Sequence, residues 1–214
     1  MSNLLLDIHT HHEDGKPGEA IISKMPRELA IEPGKWSSVG IHPWYLDGLE
    51  EEDLDLLCKL AEHPQVLAIG EAGFDNKENY DRDAQLPFFV TQSALSSYVE
   101  KPLIIHMVGA ADKVLWANKL RKHEPWIIHG FRGKEKLANQ LLDAGLYLSF
   151  GARYNVDALR ATPLDRLFLE TDEATCGIQA IYNKVAADLK IDVDELKKQV
   201  KKNIDRRSEE SRVG

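Results

Sequence analysis

A chain of 214 residues with 43% apolar and 29% charged residues can bury one sizeable core and has the balance of a globular protein. No apolar run approaches the ~18 residues of a membrane span, and a net charge of −8 argues against wholesale binding of the surface to polyanions. Cys58 and Cys176 are the only cysteines, which points to free thiols and not to a disulfide scaffold. The N-terminus lacks a basic leader and reaches a chemically capable histidine at residue 9, so the expected location is cytoplasmic. Residues 47–62 hold seven acids against Lys59, and residues 101–136 hold eight bases against three acids. These are either two solvated helix faces or, for the second, a basic rim beside an active site.

In chain order, short apolar runs occur at residues 4–8, 20–23, 36–41, 66–69, 103–106, 126–129, 146–150 and 167–170. They are bounded by Gly, Pro or charge, as buried parallel strands are. Amphipathic stretches at 49–62, 83–100, 110–122 and 134–144 separate the later runs, and residues 192–203 read as a last helix. Alternating strands and helices predict an α/β fold, a TIM-type (β/α)8 barrel. The chain is shorter than usual for that class. The segments joining the first three runs are short and broken by Gly15, Pro17, Gly18, Pro26, Pro33 and Gly34. A distorted barrel whose first two outer helices are missing or rudimentary is therefore expected. Residues 1–205 form one hydrolase domain on this reading, and 206–214 a frayed polar tail.

The chemistry gathers at the C-terminal ends of these runs. His9 and His11 lie two apart on the first strand and face the same way. Glu71 follows the fourth run, His106 ends the fifth, His129 ends the sixth and Asp172 follows the eighth. Any one of them could be a satisfied polar group. Six at five strand ends are hard to assign to packing, because buried imidazoles and carboxylates cost free energy unless paired or ligated. Six N/O donors without cysteine suit Zn, Mn or Mg, and six is too many for one catalytic ion, so two divalent metal ions are expected, with Glu71 able to bridge.

The set His9-Thr10-His11, Gly40-Ile41-His42-Pro43, Ile69-Gly70-Glu71-Ala72-Gly73-Phe74-Asp75, His106, His129-Gly130-Phe131 and Glu170-Thr171-Asp172 resembles the TatD-type metal-dependent deoxyribonucleases of the amidohydrolase-like superfamily. Gln85 and the Ser149-Phe150-Gly151 turn also match, and the resemblance runs from residue 7 to about residue 203. It implies that His9, His11 and Asp172 hold one metal and that His106 and His129 hold the other, with Glu71 between them. It also implies that Asp172 orients or deprotonates the attacking water, and that the substrate is DNA or another phosphodiester. The chain departs from the family in two places. The Arg-Asp-Ala usual after the fifth-strand histidine is replaced by Met107-Val108-Gly109-Ala110, and the Asp-Ala-Pro-Tyr near the end by Asp172-Glu173-Ala174-Thr175, which lacks the proline.

Arg132 and Arg153 lie just past the sixth and seventh runs and either replace the missing phosphate contact or are surface residues. His42 either contacts substrate or packs before Pro43. Trp44 and Tyr45 either stack a base or pack at the rim. His12, His63 and His123 read as surface residues. The leading expectation is a metal-dependent hydrolase of phosphodiesters, with Asp172 and Glu71 catalytic. The alternatives are an amidohydrolase-type enzyme on an amide or lactone, and a retired barrel that keeps its metals. Thin cover over the first three strands would leave apolar wall for the C-terminal segment or a second copy of the chain, as a homodimer, to protect.

Overall fold

The apolar runs become eight strands in a computed structural model that describes residues 6–14, 17–77, 82–120 and 125–210. They are β1 (Asp7–Thr10), β2 (Ala20–Lys24), β3 (Trp36–Val39), β4 (Val66–Asp75), β5 (Leu103–Val108), β6 (Trp126–Ile128), β7 (Tyr147–Phe150) and β8 (Leu167–Leu169). The strands are hydrogen-bonded neighbours in chain order, and the described pairings are parallel. A further parallel bridge joins Thr10 at the end of β1 to Asp172 beyond β8. Parallel strands in chain order with helices between them are the TIM-type (β/α)8 class. The expected defect is present too. Among the described residues no helix joins β1 to β2, and only a single 3-10 turn, Pro26–Glu28, joins β2 to β3. No helix among the described residues is long and apolar enough to cross a membrane.

The chain packs as two compact units, Ser23–Trp126 and Met1–Ile22 with Ile127–Gly214. The middle unit holds β3, β4 and β5 with α1 (Glu51–Ala61), α2 (Arg82–Tyr98) and α3 (Ala111–Ala117). Its core stacks Phe74 of β4 against Phe89 of α2 at 4.7 Å, and Phe89 against Trp126 at 5.2 Å. The first turn of α1 is closed by the Asp53 carboxylate, which accepts from the Glu50 N–H at 3.0 Å and pairs with Arg27. Its last turn is closed by Lys101, whose Nζ donates to the Ala61 and His63 carbonyls, a cation at the negative end of the helix. On the inner face of α2, Gln85 and Gln92 lie seven residues apart, and both are buried. Gln92 accepts from Ile41 N at 2.7 Å and donates to Ile41 O at 3.0 Å. Gln85 does the same for Asp75, at 3.0 Å each way. Each amide satisfies both backbone groups of one residue at or just past a strand's C-terminal end.

The terminal unit holds β1, β7 and β8 with α4 (Glu135–Asp143), α5 (Val156–Ala161), α6 (Ile178–Leu189) and α7 (Val193–Glu210). Beside β1, the Asp7 carboxylate accepts from the Thr171 hydroxyl at 2.7 Å, the Thr171 N–H at 3.1 Å and the His9 N–H at 3.3 Å. Burial pushes this carboxyl up to about 7 against those donors. The Tyr182 hydroxyl of α6 donates to Leu6 O at 2.9 Å. Asn203 of α7 donates to Leu164 O at 2.8 Å and Leu167 O at 2.9 Å, which pins the last helix to the start of β8.

Several boundaries differ from the sequence expectation. β4 continues six residues past Ile69, through Glu71 to Asp75, where the pattern at Gly70 and Gly73 suggested an end. There β5 lies so close that a Cβ on Gly73 would overlap the His106 carbonyl oxygen, so the glycine is what lets the strand continue. α3 tightens into a 3-10 turn, Asn118–Leu120, and the rest of the expected helix, with Arg121, Lys122 and His123, lies outside the described residues. α5 and α6 were not anticipated. α7 runs on to Glu210, taking in residues 206–210 of the expected polar tail, while 211–214 lie outside the described residues.

Two substitutions test this framework by urea denaturation. Asn203→Ala strands two carbonyls at the foot of β8 and is expected to cost about 1–3 kcal/mol. Asp7→Ala is expected to cost at least as much, because it orphans two N–H groups and a hydroxyl between β1 and Thr171. An unchanged midpoint for either would remove that side chain from the frame.

Candidate metal centre

In the terminal unit, the backbone first sets the donors. Asp172 N donates to His9 O at 3.0 Å, and His11 N donates to Asp172 O at 3.1 Å. Asp172 has φ +54, a left-handed conformation that Asp tolerates better than most residues. It turns the carboxylate back on the two histidines, with Oδ1 3.8 Å from Nε2 of each. The expected shared face of His9 and His11 holds, but their settings differ: His9 is fully buried, and His11, one residue past β1, is 40% exposed. The His129 ring lies 4.3 Å from the His9 ring. One donor atom from each of His9, His129 and Asp172 lies within 4.8 Å of the others.

A second carboxylate stands behind this group. Glu170, fully buried, accepts from Gly130 N at 2.5 Å and has Oε1 3.6 Å from His129 Nδ1. Burial alone would raise its carboxyl, but His129 foremost, then His9 and Ser149, outweigh that and hold it below the usual carboxylate range. Asp172 also lines an open cavity of about 430 Å³ together with Arg132, Arg153, Thr171 and Cys176. Both arginines are exposed, at the mouths of β6 and β7. His12, exposed, reaches the Ala174 carbonyl at 2.9 Å.

The middle unit gathers a second donor set. His42, which follows β3, takes the Trp44 N–H on Nδ1 at 3.1 Å. That places the ring proton on Nε2, 3.2 Å from Glu71 Oε1. His106 Nδ1 is 2.7 Å from the same Glu71 oxygen, and its Nε2 is 3.1 Å from Asp75 Oδ2. Asp75 also accepts from Lys77 N at 2.8 Å and from the Trp44 indole at 2.9 Å. Burial would raise its carboxyl, yet these donors, Lys77 first, hold it below the ordinary value. Donor atoms of His42, Glu71 and His106 lie within 4.8 Å of one another.

Both sets fit a divalent ion, the second through Glu71 and His106. Donors on one ion sit at ~2.0–2.2 Å from it, so they can be up to ~4 Å apart, and each set needs only a small contraction. All the donors are imidazole or carboxylate, which suits Zn, Mn or Mg. Asp75 and Glu170 supply what ligating histidines need, a carboxylate on the far nitrogen that fixes ring and tautomer. The structure thus brings His9, His11, His129 and Asp172 together in one unit, and Glu71 and His106 in the other. It places His42 beside them with Nε2–H toward Glu71, where the ring can donate a hydrogen bond but, with Nδ1 taken by the Trp44 N–H, keeps no lone pair for a cation; the sequence suggested substrate contact or packing before Pro43. Sequence reasoning did not assign Asp7, Asp75 and Glu170. Their signal was available: a charged residue inside or at the end of a buried apolar strand must have a partner.

Known proteins resemble this chain over much of its length. The family model for TatD-related DNases matches residues 19–207. The Bacillus subtilis protein YabD, named as an uncharacterized metal-dependent hydrolase, is 33% identical over 147 residues, 64% of this chain and 58% of that protein. The 3′-5′ ssDNA/RNA exonuclease TatD of Klebsiella pneumoniae is 32% identical over 150 residues, 65% of this chain and 57% of that one. The chain therefore spans little more than half the length of these relatives. Among solved structures, the TatD homologue YjjV of Escherichia coli superposes with a TM-score of 0.78 at 21% identity, over 95% of this chain and 97% of that one. A TatD-family hydrolase of Entamoeba histolytica gives 0.74 at 18%, with the same coverage. These two likenesses bear on the fold, whereas the family model spans most of the sequence, and by it the chain belongs to the TatD-related DNase family.

Proposed function

We propose that this chain is a divalent-metal-dependent phosphodiesterase acting on nucleic acid, DNA foremost. The observation that carries the proposal is the pair of all-N/O donor sets at strand C-terminal ends, one of them opening on a cavity lined by Asp172, Arg132 and Arg153. The names of the relatives, a metal-dependent hydrolase and an exonuclease on single-stranded DNA and RNA, support it. His9, His11 and Asp172 with His129 hold metal in one set, and Glu71 and His106 in the other. Two divalent ions, when bound, polarise the phosphoryl oxygen and favour ionisation of water at neutral pH.

The chain's own groups do the rest. Asp172, a quarter exposed at the cavity, orients the attacking water and takes its proton. Glu71 balances the charge of a cation in its own set and holds His42 and His106 toward one oxygen. Asp75 and Glu170 keep the imidazoles aimed. Arg132 and Arg153 meet the phosphoryl oxygens with forked N–H donors, and His42, within its own unit, can donate from Nε2 to a substrate oxygen beside Glu71 and His106. The arginine usual after the fifth-strand histidine is absent, so the charge that grows on those oxygens falls to these two side chains.

Purified protein should turn over bis(4-nitrophenyl) phosphate and single-stranded DNA with Zn, Mn or Mg, and leave dipeptides and lactones intact. The reverse preference would move the chain to amide or lactone chemistry, and bound metal without turnover on any of them would make it a retired barrel. Glu71→Ala should lose at least one equivalent of metal by elemental analysis and nearly all hydrolysis. A mutant that keeps its metal and turns over normally would overturn the role of Glu71. Arg132→Ala should lower DNA cleavage by about 10²-fold, the scale of one preorganised donor, with metal content unchanged. An equal loss on an uncharged ester, or no loss on either substrate, would remove Arg132 from the reaction.

A further inference from the structure

Directly after His42, the chain makes a 3-10 turn, Pro43–Tyr45, and leaves two large aromatic side chains facing solvent. Tyr45 is 56% exposed and Trp44 39%, whereas Phe74, Phe89 and Trp126 of the same unit are at most 1% exposed. The turn is rigid. Pro43 fixes one torsion, Trp44 N donates to His42 Nδ1, and Tyr45 N donates to His42 O at 3.0 Å. The indole is fixed again from its edge by Asp75 Oδ2, the oxygen that also holds His106. The Trp44 ring stands edge-on to His42 at 4.8 Å and to His106 at 6.0 Å, and the Tyr45 ring is tilted 5.9 Å from His42. Exposed aromatic surface held in one orientation is costly to keep wet and is suited to a flat ligand.

We infer that Trp44 and Tyr45 form a stacking subsite for an unpaired nucleobase next to the phosphate bound at the His42–Glu71–His106 donors. This rests on the phosphodiesterase reading above. A phosphate beside those donors carries its base one sugar away, within reach of rings that touch the same histidines. Stacking uses the face of the base, which every base offers, so the subsite is tolerant of sequence. A duplex hides those faces between neighbours, so the ligand is a single strand or a frayed end.

The test is fluorescence anisotropy with two labelled, cleavage-resistant phosphorothioate chains of equal length and charge, oligothymidylate and its abasic counterpart. The wild type should bind the base-bearing chain roughly tenfold more tightly. Tyr45→Ala, at a position too exposed to disturb the core, should erase most of that preference, and Tyr45→Phe should restore it. Equal binding of the two chains by the wild type, a preference undiminished in Tyr45→Ala, or no binding of either chain each overturns the subsite. Hydrolysis of bis(4-nitrophenyl) phosphate by the same preparation judges the phosphodiesterase reading separately. Turnover without base preference leaves that reading standing and removes the subsite alone.

Discussion

A carboxylate shut away from water must be met by donors or it destabilises the fold, and three such carboxylates organise this protein. Asp7 is met by Thr171 and the His9 backbone, Glu170 by Gly130 and His129, and Asp75 by Lys77, Trp44 and His106. Each contact has two effects. It satisfies a buried charge, and it sets the strand end or imidazole that presents a candidate donor. The same physical demand therefore holds the frame together and aims its chemistry, which is why the donors are ordered before any cation arrives.

Within the terminal unit the candidate groups differ in exposure. His9 is buried and His129 half-buried, whereas His11, Arg132 and Arg153 are exposed. Restrained donors fix coordination geometry; exposed groups on longer stems can follow a substrate. His11 shows the gradient within one motif, since it lies two residues from a fully buried histidine yet sits where solvent reaches it.

Much of this was legible in the sequence. All eight strands appeared as short apolar runs because parallel strands covered on both faces need nearly continuous apolar sequence. The loss of the first two helices was legible as well, since too few unbroken residues join those runs. The six donors were visible because polar residues at successive strand ends break an otherwise apolar pattern. What escaped had physical causes. The length of β4 was hidden by Gly70 and Gly73, which look like breakers until the close approach of β5 is known. α5 was hidden by its six residues, too few to show a period, and α6 by its place behind the loop that follows Asp172. His42 was seen as a substrate contact because its nearness to Glu71 comes from tertiary folding and not from spacing along the chain.

The two glutamines of α2 lead to one more property. Side-chain amides do not titrate, so the clasps on Ile41 and Asp75 are indifferent to acidity, while the histidines and carboxylates they position are not. Acidification protonates metal-binding donors but not these amides, so a cation bound at Glu71 and His106 would be lost in acid while the clasps on Ile41 and Asp75 stay closed.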